Sequence, residues 1–278
     1  MCASRHELLT RSMRAISMLL ALALAAQASA LRVTVFGGSG FIGQRVCQKL
    51  TEAGCDVVSC SRSGRPADAG GAWADAVEWA SADASVDDLA PAVADSDAVV
   101  SVVGGFKAGK ASPTGTGDIP VLFASYSPQD QEEYRAKNGP PNEAIARAAK
   151  EAGVGQYVLV GVAADAENGL AGGIPGYFEG KADALNAAVQ NFGADAVVVC
   201  PHEVVEQGSA RIKAVDNPFA RFARDANKAI GSVGYRGEDL VTKLSLTPPS
   251  SVDDVATVVA AAAASGLDVD AVSYTHLR

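Results

Sequence analysis

The chain has few cysteines, and they follow no pattern. The five in 278 residues (Cys2, Cys47, Cys55, Cys60 and Cys200) form no CxxC pair and keep no regular spacing. That argues against a disulfide framework or a structural zinc site and leaves free, mostly buried thiols. His202 and Glu203 adjoin each other without further spaced ligands, so no metal site is expected. A basic stripe is also missing. With 23 Lys and Arg against 32 Asp and Glu the net charge is −9, which lacks the electrostatic footprint of a nucleic-acid partner. After residue 30 no apolar run is long enough to span a bilayer, so any membrane association is expected to be peripheral. Internal repeats and coiled-coil heptads are absent too.

What is present is apolar and glycine-rich. Hydrophobic residues make up 48% of the chain and glycines number 28, enough for one large α/β core and hardly for two. Residues 1–30 stand apart: Arg5, Arg11 and Arg14 precede ISMLLALALAAQ, which closes on Ala28-Ser29-Ala30. A basic region, a short apolar region and a small-residue site describe a cleavable signal peptide as the targeting segment, with an amphipathic organelle presequence as the alternative. Residues 273–278, SYTHLR, look like a non-native tail. The expected single domain therefore runs over 31–272.

From Leu31 the pattern alternates. LRVTVFG reads as a buried strand, FIGQRVCQKLTEAG as a helix stopped by Gly54, and CDVVSCS as a second strand. Helical ASVDDLAPAVA, strand DAVVSVVGG, helix PNEAIARAAKEAG, strand QYVLVGVAA, a helix carrying Tyr177 and Lys181, strand DAVVVCP and helix VDDVATVVAAAAA follow. Nearly continuous apolar strands separated by helices predict a Rossmann-like α/β fold, a doubly wound parallel sheet covered on both faces. Residues 107–137 break the rhythm and read as an insertion, and 203–250 as a loosely organised substrate-side region.

The first strand runs into Gly37-Gly38-Ser39-Gly40-Phe41-Ile42-Gly43 and then a helix. In that setting Gly37 turns the chain, Gly40 lets backbone amides approach a diphosphate, and Gly43 lets the helix sit close to the sheet. The second strand ends in Ser61-Arg62-Ser63-Gly64-Arg65, with no carboxylate to hold free ribose hydroxyls. Arg62 and Arg65, helped by Ser61 and Ser63, suit a 2′-phosphate, so NADP(H) is favoured, with NAD(H) as the alternative. Asp83 is a candidate for the adenine edge, and Val103, Gly104 and Gly105 for the cofactor side of the fourth crossover.

VFGGSGFIGQRVCQKL, CSRSGRP, VVSVVGGF, NGPPNEAIARAAKEAGV, IPGYFEGK and PPSSVDDVATVVAAA together resemble the atypical short-chain dehydrogenase/reductase superfamily over about residues 31–264. Within it the chain is most similar to the branch holding plastid NAD(P)-binding proteins, a fungal coenzyme Q-associated homologue and a nucleotide-binding accessory subunit of respiratory complex I. The resemblance implies an extended Rossmann fold with a Tyr-x-x-x-Lys pair near the nicotinamide.

Tyr177 and Lys181 lie at i and i+4, on one helix face. A nearby ammonium is expected to lower the tyrosine pKa and make its hydroxyl a general acid or base. Gly180 between them is expected where backbone passes close to a ligand. The superfamily also implies a Ser or Thr at the end of the preceding strand. Gly161 stands there instead, and Cys200-Pro201-His202 replaces the family's Arg-Pro-Gly. Two functions remain open: an oxidoreductase acting on a small carbonyl or quinone-type substrate, or a nucleotide-binding structural or assembly subunit of an organellar membrane complex. An organellar location follows from the leader and the resemblance, plastid first and mitochondrion second.

Overall fold

The computed structural model describes residues 30–105, 127–163, 174–201, 204–206 and 250–264. The leader, the tail, the first part of the 107–137 stretch, most of 203–250, and His202 and Glu203 lie outside the described residues.

The strands are β1 (Arg32–Phe36), β2 (Asp56–Ser61), β3 (Glu78–Ser81), β4 (Ala98–Ser101), β5 (Gln156–Val160) and β6 (Ala196–Val199). They form one six-stranded parallel sheet in the order β3-β2-β1-β4-β5-β6. The order reverses between β1 and β4, which opens a crevice at their carboxyl ends. The helices are α1 (Phe41–Glu52), α2 (Ala72–Ala76), α3 (Ala90–Val93), α4 (Pro128–Asn138), α5 (Pro140–Glu151), α6 (Pro175–Phe192) and α7 (Val252–Ala264). A short parallel pair, β7 (Val204–Val205) and β8 (Ser250–Ser251), leads into α7.

Both sheet faces are covered because successive side chains on each strand alternate between apolar partners. On one face Val33, Val35, Val57, Val100, Val158 and Val160 meet Val46, Cys47 and Leu50 of α1 and Val255 and Val259 of α7. On the other, Phe36, Val99, Tyr157, Leu159 and Val198 meet Ile145 and Ala149 of α5 and Ala184 and Ala188 of α6.

Three local readings change. The expected helix ASVDDLAPAVA forms only over Ala90–Val93, because Asp83 and Asp88 accept backbone N–H groups and hold turns ahead of it. Strand β3, four residues at the sheet edge, is missing from the sequence reading, being too short and too exposed to show a period. The end of the 107–137 stretch is α4, whose polar sequence hides it. Ser127 and Asp130 form a capping box and Pro128 starts the helix. Its seat is α6: a Cβ on Gly176 would overlap the Gln131 carbonyl oxygen, and one on Gly180 would lie 2.8 Å from Asn138 Cβ. Arg135 of α4 adds exposed ion pairs to Asp183 at 3.0 Å and Glu179 at 3.5 Å. Gly180 is therefore a helix-packing glycine, which corrects the expectation that a ligand needs its bare backbone.

Candidate functional site

The crevice begins at the glycine turn. Gly37, at φ +82°, donates its N–H to Cys60 O at 2.8 Å, and Gly40 donates back to Gly37 O at 2.9 Å. Helix α1 then starts with no side-chain cap and no acidic residue in its first turn. Its first N–H groups thus face the crevice with the positive end of the helix dipole behind them. Gly43 sits so close that an added Cβ would overlap Gly37 O and lie 2.7 Å from Gly38 Cα. A Cβ on Gly38 would overlap the buried Ser59 hydroxyl. Ile42 packs into the core, whereas Phe41 is 47% exposed at the helix start. Uncapped donors, a bare helix end and a surface that excludes side chains fit a dinucleotide diphosphate.

The end of β2 lies beside this turn, and Ser39 Oγ meets Ser63 Oγ at 3.0 Å. The loop is shaped by Gly64 at φ +62° and by the Ser61 hydroxyl donating to Gly64 O at 3.3 Å. The two arginines part company here. Arg65 pairs with Asp75 of α2 at 2.7 Å and also donates to Ala69 O at 3.3 Å. Arg62 is exposed and, among the described residues, its guanidinium makes no hydrogen bond or ion pair. Asp83 accepts the Ser85 N–H at 2.9 Å. That bond, opposed by slight desolvation and aided by Ser85 and by the charge of Arg62, holds its carboxyl below the usual range. Asp83 is thus engaged within its own turn, near Arg62.

Beyond β4 the chain turns through Val103, Gly104 (φ +137°) and Gly105 (φ +134°). Two buried asparagines hold this turn. Asn138 accepts the Gly105 N–H at 3.0 Å and donates to Gly105 O at 3.0 Å and Tyr134 O at 2.8 Å. Asn142 accepts the Ser101 hydroxyl at 2.5 Å and donates to Val103 O at 3.2 Å and Asn138 O at 2.7 Å. The sequence reading missed both: they flank the Gly139-Pro140-Pro141 break between α4 and α5, where an asparagine reads as an ordinary turn residue.

Lys181 comes in from α6. It is 8% exposed, and its ammonium donates to Val160 O at 3.1 Å at the end of β5. A Cβ on Gly104 would lie 3.0 Å from Lys181 Nζ, so the turn after β4 and the lysine share one corner of the crevice. Lys181 Nζ stands 6.0 Å from the centre of the half-buried Tyr177 ring. Structure and sequence agree on one shared face and disagree on its electrostatics. Burial pushes the Tyr177 hydroxyl up to about 12, not down, because desolvation of a phenolate outweighs an ammonium at this range. Burial also brings the Lys181 amine down to about 8, offset in part by Cys200.

At Gly161, N–H donates to Val199 O at 2.9 Å, which carries the β5–β6 pairing one step further. Among the described residues no group of three or more His, Cys, Asp or Glu is arranged to hold a metal, and no helix is long and apolar enough to cross a membrane.

Comparison with known proteins agrees with this geometry. The NAD(P)H-binding family profile matches residues 37–226, and the chain belongs to that family. An uncharacterized chloroplastic protein of Arabidopsis thaliana is 29% identical over 234 residues, covering 82% of this chain and 70% of its own. Component 2 of the MIOREX complex of Saccharomyces cerevisiae is 41% identical over 56 residues, 19% of this chain and 20% of its own. Among solved structures, a short-chain dehydrogenase/reductase from Serratia marcescens superposes with a TM-score of 0.53 at 19% identity, covering 85% of this chain and 91% of its own. An oxidoreductase of the same family from Burkholderia thailandensis gives 0.51 at 19% identity, with 87% of each chain covered. The chain shares the fold of these two dehydrogenase/reductase structures, the Rossmann-like fold that the sequence resemblance implied.

Proposed function

We propose that this chain is an NADP(H)-dependent oxidoreductase that reduces a small carbonyl or quinone-type substrate. The observation that carries the reading is the position of Lys181, buried against Val160 O and the Gly104 turn with Tyr177 on the same helix face. When bound, the nicotinamide supplies a hydride to the carbonyl carbon. The chain's own residues do the rest. The amides at the start of α1 hold the diphosphate, and Arg62 holds the 2′-phosphate, with Arg65 released from Asp75 as a second cation. Lys181 anchors the nicotinamide ribose, and Tyr177 donates its proton to the oxygen that receives the electrons. A tyrosine held up to about 12 stays protonated at neutral pH, which suits a donor in the reducing direction.

NADPH oxidation measured against a panel of aldehydes, ketones and quinones tests this, with Tyr177→Phe expected to lose activity while keeping nucleotide affinity. No turnover on the panel, or a Tyr177→Phe variant equal to wild type, overturns it.

A second reading, a nucleotide-binding structural or assembly subunit peripherally attached to an organellar membrane complex, is favoured by the glycine at position 161. It draws on the yeast relative's name as a complex component, over the short match stated above. Tight nucleotide retention without turnover is its signature. The chloroplastic relative supports a plastid location, with the mitochondrion as alternative.

A further inference from the structure

Gly161 has no side chain, yet the space beside it is filled. A Cβ there would lie 3.1 Å from Cys200 Sγ and 3.2 Å from Val198 Cγ1. Both neighbours come from β6 and its continuation, paired to the end of β5 through Gly161 N–H to Val199 O at 2.9 Å and Ala163 N–H to Pro201 O at 3.0 Å. Alternation puts Tyr157, Leu159 and position 161 on one face of β5. Val198 and Cys200 occupy that same face on the adjacent strand, in the core cluster under α6. Helix α6 carries Tyr177 and Lys181. The sulfur therefore lies next to the place where a side chain at position 161 would begin, on the dyad's side of the sheet.

We infer that Cys200 is the residue that meets the substrate oxygen alongside Tyr177, its thiol taking the place of a hydroxyl that the glycine at position 161 cannot supply. The inference rests on the oxidoreductase reading and extends it to a second hydrogen-bond donor. Burial keeps the thiol protonated, against the smaller opposing effects of the Val162 N–H and the Lys181 charge. Cys200 is thereby a donor and not a nucleophile, because the nucleophilic form is the thiolate. A protonated thiol carries one S–H hydrogen that it can donate. A thiol donates more weakly than a hydroxyl, so slow reduction is expected compared with an enzyme that carries serine.

The test uses the full chain in five forms: wild type, Cys200→Ala, Cys200→Ser, Gly161→Ser and the exchange Gly161→Ser/Cys200→Ala. NADPH affinity, thermal unfolding and steady-state reduction over the carbonyl and quinone panel are read for each. Cys200→Ala is expected to lose about tenfold or more in kcat with NADPH affinity unchanged, and Cys200→Ser to recover most of that loss. Gly161→Ser is expected to melt lower than wild type because Cys200 Sγ and Val198 Cγ1 stand in its way. The exchange variant is expected to regain both stability and turnover. Cys200→Ala reducing substrate as fast as wild type overturns the inference, and so does an exchange variant no more stable than Gly161→Ser. Absence of turnover in all five forms instead removes the oxidoreductase reading, and the unfolding cycle alone then decides whether position 200 fills the seat of position 161.

Discussion

Asn138 and Gly105 hold each other through reciprocal hydrogen bonds, Gly105 N–H to Oδ1 and Nδ2–H to Gly105 O, each at 3.0 Å. An amide side chain thus pairs with a backbone unit as a neighbouring strand would. It fixes a glycine turn that no sheet reaches, directly beside Lys181.

Replacing Asn138 by Leu removes these bonds and the one to Tyr134 O while keeping the same branched side-chain skeleton, at a somewhat larger volume. Asn138 is fully buried, so the variant is expected to lose roughly 2–3 kcal/mol of stability, mostly from carbonyls left without a donor. Nucleotide affinity should fall more than stability alone explains, since Gly104 is released next to Lys181. Urea unfolding with parallel NADPH titration checks both. An unchanged affinity would mean that the turn does not touch the cofactor.

Gly43→Ala is expected to be far more damaging than Gly54→Ala. The first places a methyl against Gly37 O and Gly38 Cα, both backbone and unable to yield. The second meets nothing within 4 Å and suffers only from its φ of +84°. A loss of about 3 kcal/mol and of measurable nucleotide binding is predicted for Gly43→Ala, against roughly 1 kcal/mol with binding retained for Gly54→Ala. Differential scanning fluorimetry with and without NADPH separates the two.

Arg62→Gln should weaken NADPH by about tenfold or more while leaving NADH nearly unchanged, because a charge-assisted bond to a phosphate contributes on the order of 1.5–3 kcal/mol. Arg65→Gln should weaken it less, since its guanidinium must first leave Asp75 at 2.7 Å. Asp75→Asn is then expected to tighten NADPH modestly by freeing Arg65. Calorimetry with both nucleotides decides. Equal losses for NADPH and NADH on changing Arg62 would show that it does not read the 2′ position.

Lys181→Met is predicted to raise the stability of the nucleotide-free protein near neutral pH. Burial lowers the amine from 10.5 to about 8, so between those values the unfolded chain binds more protons than the folded one, and wild-type stability rises with pH. Below the lower value the folded state carries the full cost of a buried ammonium, about 3 kcal/mol. The advantage of the methionine variant should therefore be largest at about pH 7 and shrink towards about pH 10. Denaturant curves for both proteins across that range isolate this group from the tyrosines and cysteines, whose titration in the unfolded chain falls in the same region. A difference that does not change with pH contradicts the assignment. NADPH affinity should fall in the variant at every pH.

The sequence by itself determined the parts of this protein that depend on neighbours along the chain. The strand–glycine–helix run at residues 32–52 is legible because turn, donor row and close helix contact must follow one another within seven positions, and the apolar alternation of strands and helices fixes a parallel sheet covered on both faces. The same-face relation of Tyr177 and Lys181 is likewise local, a matter of helical period. Tertiary structure decided what depends on distant partners. Polar α4 exists because Gly176 and Gly180 give it a seat, and Asn138 and Asn142 become site residues only once α4 and α5 are folded against β4. The sign of the Tyr177 shift follows from how much water the fold removes, a quantity that helix spacing does not contain. The sulfur beside Gly161 comes from a position 39 residues away on the next strand, so its role was invisible until β5 and β6 were laid side by side.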